Sequence, residues 1–559
     1  MPSRRLFAVL LATCGAAVIA ADRPSVQFED FRYRGMDAMF DQPLPAGHFR
    51  NPILAGFYPD PSITRAGDRY YLVHSTFAWF PGIPVFESRD LVHWTQIGSV
   101  IHRPDQLDYR GLGVSRGVFA PTIEFHDGTW DVFNTAVDNG GNFLVTASDP
   151  AGPWSDPIWL KDIDGIDPSL FVDEDGQGYV LNNGPPEGEP RYDGHRAIWL
   201  QAFDLASMQP TGPRKVLIDG GVEPSANPIW IEGPHLYQRN GWYYLVCAEG
   251  GTGPQHSQVV LRSREIWGPY EPYAHNPILT QRDLDPDRPF PITNAGHADL
   301  VIGPDGQWWA SFLSSRTYGE GHYNTGRETY LLPVRWDNDW PHILPAHTPI
   351  PTILPAPAGT VDADQGPLSG NFSWVDQFDG PALDRAWISL RGPASDWASL
   401  DVEAGRLSLT PTDDPITGKG QPAFLARRQQ HLRFEAELGL MVPTSPAVEA
   451  GLLAFQNETH WYYFAASKGA EGLLLSLRKR VGEHSEVVAE TVLAELDTLR
   501  LRVSGDHADY QFSYEAGDGW QPLGDVQDGR ILGTDVAGGF VGATLGPYVR
   551  WVEPSGEEE

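Results

Sequence analysis

Cysteine is nearly absent from this 559-residue chain: only Cys14 and Cys247 occur. Cys14 lies in an N-terminal apolar stretch, so a chain cleaved behind that stretch keeps one thiol and no intramolecular disulfide. Cys247, in the apolar run Tyr243–Glu249, reads as a buried core residue. Basic charge is also scarce: 40 Lys and Arg stand against 73 Asp and Glu, a formal net charge of −33. There is no basic footprint for nucleic acid. Acidity disfavours anionic polymers as ligands, whereas a neutral polymer is not repelled. Long apolar helical stripes are missing from the body. In their place stand 11% aromatics, with 19 Trp, and 59 Gly and 49 Pro that break short strand-like runs. That is the pattern of an all-β protein, long enough for two or three domains.

Arg4 and Arg5 precede an apolar stretch from Leu6 to about Ala20, with small residues at Ala17, Ala20 and Ala21. The pattern reads as a signal peptide over residues 1–21, since the stretch is short for a span. The expected product is exported, periplasmic or extracellular, with no membrane span after cleavage. Thr13 before Cys14 makes a poor lipoprotein signal. Residues 22–50 form a polar lead-in with no assignment.

One phrase recurs five times: Asp60-Pro61-Ser62-Ile63, Ala120-Pro121-Thr122-Ile123, Asp167-Pro168-Ser169-Leu170, Gly233-Pro234-His235-Leu236 and His297-Ala298-Asp299-Leu300. Each copy leads into a polar turn and then an aromatic strand. The copies are spaced by roughly 47 to 66 residues, and repeats of this size built from short strands indicate a propeller with one blade per repeat. The sequence thus predicts a five-bladed β-propeller over 51–345. Proline then thickens, from Pro341 to Pro357, marking a Pro-rich linker over 346–371. Beyond it, alternating strands without the repeat predict a β-sandwich over 372–559.

Equivalent positions of a propeller face one axis, so Asp60, Asp167 and Glu232, beside the fourth copy, are expected to converge. Alone, Asp60 between Pro59 and Pro61 also reads as a turn cap. Its flanking prolines predict extended backbone. Glu232 follows Ile229-Trp230-Ile231, and a desolvated carboxyl there stays protonated and suits a general acid. Asp60, in a more polar setting, stays ionised and suits a base or nucleophile. The alternative for Glu232 is a buried ion pair with Arg327. Asp167 is either a third acid that orients the second or a hydrogen-bonded structural residue. His297 fills the slot in the fifth copy, either as a satisfied core residue or at a central metal or water site; no zinc-ligand spacing occurs. Phe77, Trp79, Phe80 and Phe119 cluster near the expected mouth, to meet a sugar face or simply to pack.

Several stretches resemble glycoside hydrolase family 43, in particular its two-domain β-xylosidase and α-L-arabinofuranosidase branch. They include NPILAGFYPDPSI, STFAWFPGIPVFESRDLVHW, GIDPSLFVDEDG, EGPHLYQRNGWYYLVCAEGGTG, GHADLV and GRETYLLPV. The tail, with FSWVDQFDG and GGFVGATLG, resembles the appended concanavalin A-like sandwich of that branch. The resemblance implies an inverting exo-hydrolase that needs no cofactor for its chemistry. Asp60 matches the general base, Glu232 the general acid, Asp167 the acid that tunes it, and Arg327 a substrate-holding arginine. His297 matches a histidine near the channel centre, often beside a structural calcium ion, and Phe540 matches loosely an aromatic of the sandwich that closes the pocket. Where the family usually has Trp before Ala-Pro, this chain has Phe119, a smaller ring that would alter the subsite.

The expected substrate is a xylo- or arabino-oligosaccharide, cleaved at its terminal pentose. An endo-arabinanase and a non-catalytic carbohydrate-binding propeller are the alternatives. The preference between xylose and arabinose, the metal, and assembly into a homo-oligomer stay open.

Overall fold

A computed structural model of the protein describes residues 24–360, 366–516 and 519–552. The signal peptide assigned to residues 1–21 lies outside the described residues. Strands dominate; among the described residues the one α-helix is Thr534–Ala537.

Each recurrent phrase opens the innermost strand of a blade. These strands are Ser62–Ala66, Thr122–His126, Ile166–Val172, Glu232–Arg239 and Ile292–Ile302. Their aromatic sequels form the second strands, Arg69–Val73, Thr129–Val137, Gly178–Gly184, Trp242–Glu249 and Trp308–Arg316. Further antiparallel strands complete five sheets of four or five strands. Successive inner strands touch in a closed ring, the fifth meeting the first. The turns follow local chemistry: Asp127-Gly128 and Asn240-Gly241 have positive φ at both residues (47° and 83°, 53° and 70°), the primed hairpin turn that matches strand twist. Every residue of Gly178–Gly184 is buried, because a blade strand has a neighbouring blade on each face. In the sandwich, Thr498–Asp506 alternates instead, with Leu499, Leu501 and Val503 inward.

The sandwich packs a nine-stranded sheet on an eight-stranded one. Its membership differs from the expected boundaries at two places. The unassigned lead-in supplies the strand Val26–Gly35, paired with Arg406–Leu409, Arg433–Met441 and Ser373–Asp376. Phe28, Phe31 and Tyr33 are buried there, interleaved with the polar residues that made the segment read as polar. The propeller is therefore inserted, in chain order, within the sandwich. At the other sheet's edge, Trp79–Phe80 from the propeller pairs with Ile388–Leu390, so one sheet crosses the domain boundary.

The Pro-rich stretch does not act as a free tether. Ile353–Pro355 pairs with His48–Arg50, and the Leu368 carbonyl accepts from the Ala55 N–H at 2.7 Å. Arg316 locks three parts together. It donates to both Glu328 carboxylate oxygens and to the Gln430 carbonyl at 2.7 Å each, and it pairs with Asp37 of the lead-in.

Candidate active site

The recurrent slot has an unusual backbone. Asp60, Asp167, Gly233 and His297 all have left-handed φ, at 54°, 55°, 53° and 53°. The extended conformation expected for Asp60 is therefore not what the chain adopts. The inner strands of the third, fourth and fifth blades break register at this point, and the strained residue turns its side chain off the strand line. Strain of this kind in non-glycine residues costs of order 1–3 kcal/mol each and persists where the fold over-determines it. In the fourth blade glycine takes the slot because His297 crowds it: a Cβ on Gly233 would meet the imidazole at 2.7 Å. The carboxyl is displaced one residue upstream, to Glu232.

The three acids converge at this end of the ring, each nine-tenths buried or more. Asp60 accepts from Arg327 Nη1 at 2.7 Å and from the Ser75 hydroxyl at 2.5 Å. Burial by itself would raise its pKa, but Arg327, then His297 and Ser75, outweigh that and hold it below the ordinary value. Asp60 stays ionised by pairing, not by the polar exposure expected for it. Arg327 belongs to Asp60, so the ion pair considered for Glu232 does not form. Asp167 accepts from the Gly233 N–H at 3.0 Å. Burial and then the charge of Asp60 push it up to about 7. Glu232 is pushed well above the usual carboxylate range by burial, then by Asp167 and Asp60, and its Oε1 faces no protein donor. One carboxylate is thus held charged and another held protonated across one site, the division of labour that acid–base catalysis needs.

Phe77, Phe119 and Phe540 form one aromatic corner beside these acids. Phe77 and Phe540 stack at 5.9 Å, and Phe119 meets them edge-on at 5.4 and 5.5 Å. Arg327 lies over both Phe77 and Phe540 and reaches the Phe540 carbonyl at 3.4 Å. Phe540 comes from the sandwich, anchored through its N–H to Ser115 at 2.9 Å. Trp79 does not join them. It is 0% exposed and packs on Phe57, Phe424 and Phe455 in the interface core. Buried in that core, it has no surface to offer a ligand, which corrects its expected role in substrate binding.

His297 stands 3.8 Å from Asp60 Oδ1, and burial draws its pKa down to about 4, so it is neutral near pH 7. A calcium ion takes six to eight oxygen ligands. Among the described residues no group of three or more His, Cys, Asp or Glu side chains is placed to hold a metal, so the donor set here does not by itself make a metal cage.

Sequence reasoning passed over Ser75 and Glu328. Ser75 lies two residues past the strand Arg69–Val73, and by register its equivalents in the other blades are Thr135, Asn183, Ala248 and Leu313, polar in two of the four, so the repeat carries little signal for it. Glu328 bonds the Gly56 N–H at 2.8 Å and Arg316, fixing the chain on both sides of the Asp60–Arg327 pair. No single-residue pattern reveals it.

The family profile described as Glycosyl hydrolases family 43 matches residues 49–341. The chain belongs to that family. The profile described as Beta xylosidase C-terminal Concanavalin A-like domain matches residues 375–555. This family 43 glycosidase is 36% identical over 503 residues to a xylosidase/arabinosidase of Butyrivibrio fibrisolvens, covering 89% of this chain and 95% of the relative. It is 37% identical over 522 residues to a non-reducing end alpha-L-arabinofuranosidase of Bacteroides ovatus, covering 89% and 91%. A crystal structure of a family 43 protein retrieved from a capybara gut metagenome superposes with a TM-score of 0.89 at 39% identity, covering 94% of this chain and 99% of that one. Family 43 glycosidases act without cofactors. No described helix is long and apolar enough to cross a membrane.

Proposed function

We propose that this glycosidase is an exo-acting pentosidase that removes terminal β-D-xylose or α-L-arabinofuranose from xylan-derived oligosaccharides with inversion. The observation that carries this reading is the charge division between Asp60, ionised against Arg327, and Glu232, buried and protonated. Asp60 takes a proton from water as it attacks the anomeric carbon. Glu232 gives its proton to the departing glycosidic oxygen. Asp167, itself pushed up to about 7, makes a further charge on Glu232 costly, and by accepting from the Gly233 N–H it orients the segment that carries the acid. Water must fit between base and sugar, so inversion calls for carboxyls about 6.5–9.5 Å apart and no covalent intermediate. Phe540 supports the exo reading, because an aromatic from the sandwich at the rim narrows what an endo-arabinanase would need open. Names of the relatives, a xylosidase/arabinosidase and an arabinofuranosidase, support pentose as the sugar.

Turnover of 4-nitrophenyl β-D-xylopyranoside and α-L-arabinofuranoside tests the reading, and the ratio of rates names the sugar. Proton NMR of the first-formed sugar from the better substrate should show inverted configuration; retention would sink the mechanism. Absence of turnover on both would move the protein to the arabinanase or silent-binder class. Export is part of the proposal, supported by Arg4, Arg5 and the apolar stretch behind them. Immunoblotting of fractionated host cells should find the mature chain outside the cytoplasm, shortened by about 2 kDa; a full-length cytoplasmic chain would refute it.

A further inference from the structure

An unused arginine, Arg196, lies against a strained tryptophan, Trp230, that stands two residues upstream of Glu232. Trp230 has a φ of 51°, a conformation that costs a bulky residue energy and persists only where the surroundings over-determine it. The segment is pinned in this state: the Trp230 N–H donates to the Gly194 carbonyl and the Ile229 carbonyl accepts from Gly250, both at 2.9 Å. Asn183 Nδ2 holds the Ile231 carbonyl at 2.6 Å. The indole is only half-buried. Arg196 lies over it, its guanidinium carbon 4.2 Å from the ring centre. Glu232 and Arg196 each feel the other's charge, so the pair sits on the flank of the acid. In a chain with 73 acidic residues, this guanidinium makes no hydrogen bond or ion pair with the described residues. Five fixed N–H donors without protein acceptors, held on a ring, suit the hydroxyls and ring oxygen of a sugar.

The aromatic corner of Phe77, Phe119 and Phe540 gathers with Arg327 beside Asp60. Glu232 protonates the oxygen that joins the terminal pentose to the rest of the substrate. A platform beside Glu232 and separate from the Asp60–Arg327 side therefore meets what lies beyond that oxygen. We propose that Trp230 and Arg196 form the leaving-group subsite, the indole stacking on the sugar that departs and the guanidinium donating to its oxygens. The inference rests on the pentosidase reading above. It makes these two residues determinants of which linkages and chain lengths are cleaved, because binding energy from the departing sugar is realised at the reacting bond.

The test compares a pentose disaccharide with the glycosyl fluoride of the same pentose, whose leaving group has no ring to stack. In Trp230→Ala and Arg196→Ala, kcat/KM on the disaccharide should fall by about tenfold, the scale of a cation–π or stacking contact, while the fluoride changes less than twofold. Trp230→Phe should restore part of the disaccharide rate. Trp230→Gly, which fits the left-handed backbone without strain, should behave as the alanine variant does and stay folded. Parallel loss on both substrates would mean the pair acts through Glu232 or the fold, and no loss on either would mean it binds nothing; either overturns the proposal. A wild type that cleaves neither substrate overturns the pentosidase reading itself, which separates the two failures.

Discussion

Asp60 and Glu232 are both buried, yet their pKa values move in opposite directions, because Asp60 has direct partners, Arg327 first, and Glu232 has carboxyl neighbours. Arg327 bonds Asp60 directly, whereas Glu232 faces two carboxylates with no direct partner on Oε1. Glu232→Gln should therefore lose at least a hundredfold on an unactivated disaccharide, the usual scale of general acid catalysis. It should lose much less on a 4-nitrophenyl pentoside, whose leaving group needs little protonation. Equal losses on both would mean Glu232 is not the proton donor. The same shifts make a prediction about stability. Asp167 has a folded pKa of about 7 against an ordinary 3.8, so the folded protein holds a proton that the unfolded chain releases. That contribution favours folding below pH 4 and is lost as pH rises through about 7. Asp167→Asn removes the dependence. Its Tm should rise relative to wild type as pH goes from 4 to 7.5, by a few degrees, each kcal/mol being worth about 1 °C when roughly 500 residues melt together. A Tm difference that stays flat across this range would show that Asp167 is not proton-coupled to folding. The acids themselves were legible in the sequence because the repeat maps them to one axis. The pairing was not: Arg327 was expected at the site, against the substrate or Glu232, and only the fold brings it to Asp60, 267 residues away; Trp79 likewise reads as a mouth residue until its strand pairing is known.

At the scale of elements, the site depends on a strand that the propeller lends away. Trp79–Phe80 leaves the first blade to pair with the sandwich, and in doing so it lays Phe77 against Phe119 and Phe540. Trp79→Ala empties a fully buried volume at the centre of that contact, which costs about 3–5 kcal/mol. Its signature should be a fall in activity along with Tm, because the aromatic corner and the Phe540 carbonyl that meets Arg327 are set by the same packing. Phe540→Ala is the complementary case: partly buried at the rim, it should leave Tm nearly unchanged and raise KM. If Trp79→Ala lowers Tm but leaves KM and kcat intact, the domain contact does not shape the pocket. The blades were readable because each phrase carries the same turn and aromatic strand. The lead-in was not, since its strand Val26–Gly35 alternates Phe28, Tyr33 and their kind with Glu29, Arg32 and Arg34, and only its pairing with residues 433–441, some 400 positions later, reveals which face is buried.

For the whole molecule, that pairing means the two domains cannot fold as consecutive beads. The nine-stranded sheet takes an interior strand, Val26–Gly35, from the lead-in and its other strands from beyond residue 372, with the propeller between them. Arg316 of the propeller closes the arrangement by bonding Glu328, Asp37 and the Gln430 carbonyl at once, in a place with almost no solvent. Removing one partner from such a buried ionic group costs about 3–5 kcal/mol, since the remaining charges stay desolvated. A chain so stitched should unfold as one cooperative unit, and calorimetry of the mature protein should show a single transition. Deleting residues 24–37 takes away the strand, its three buried aromatics and Asp37 together, and leaves a gap in the nine-stranded sheet whose open edges invite aggregation. The shortened chain should lose the single transition and most soluble yield. If it instead unfolds in two steps, with an active propeller melting at the original temperature, the insertion is a matter of chain order alone and the domains are energetically independent.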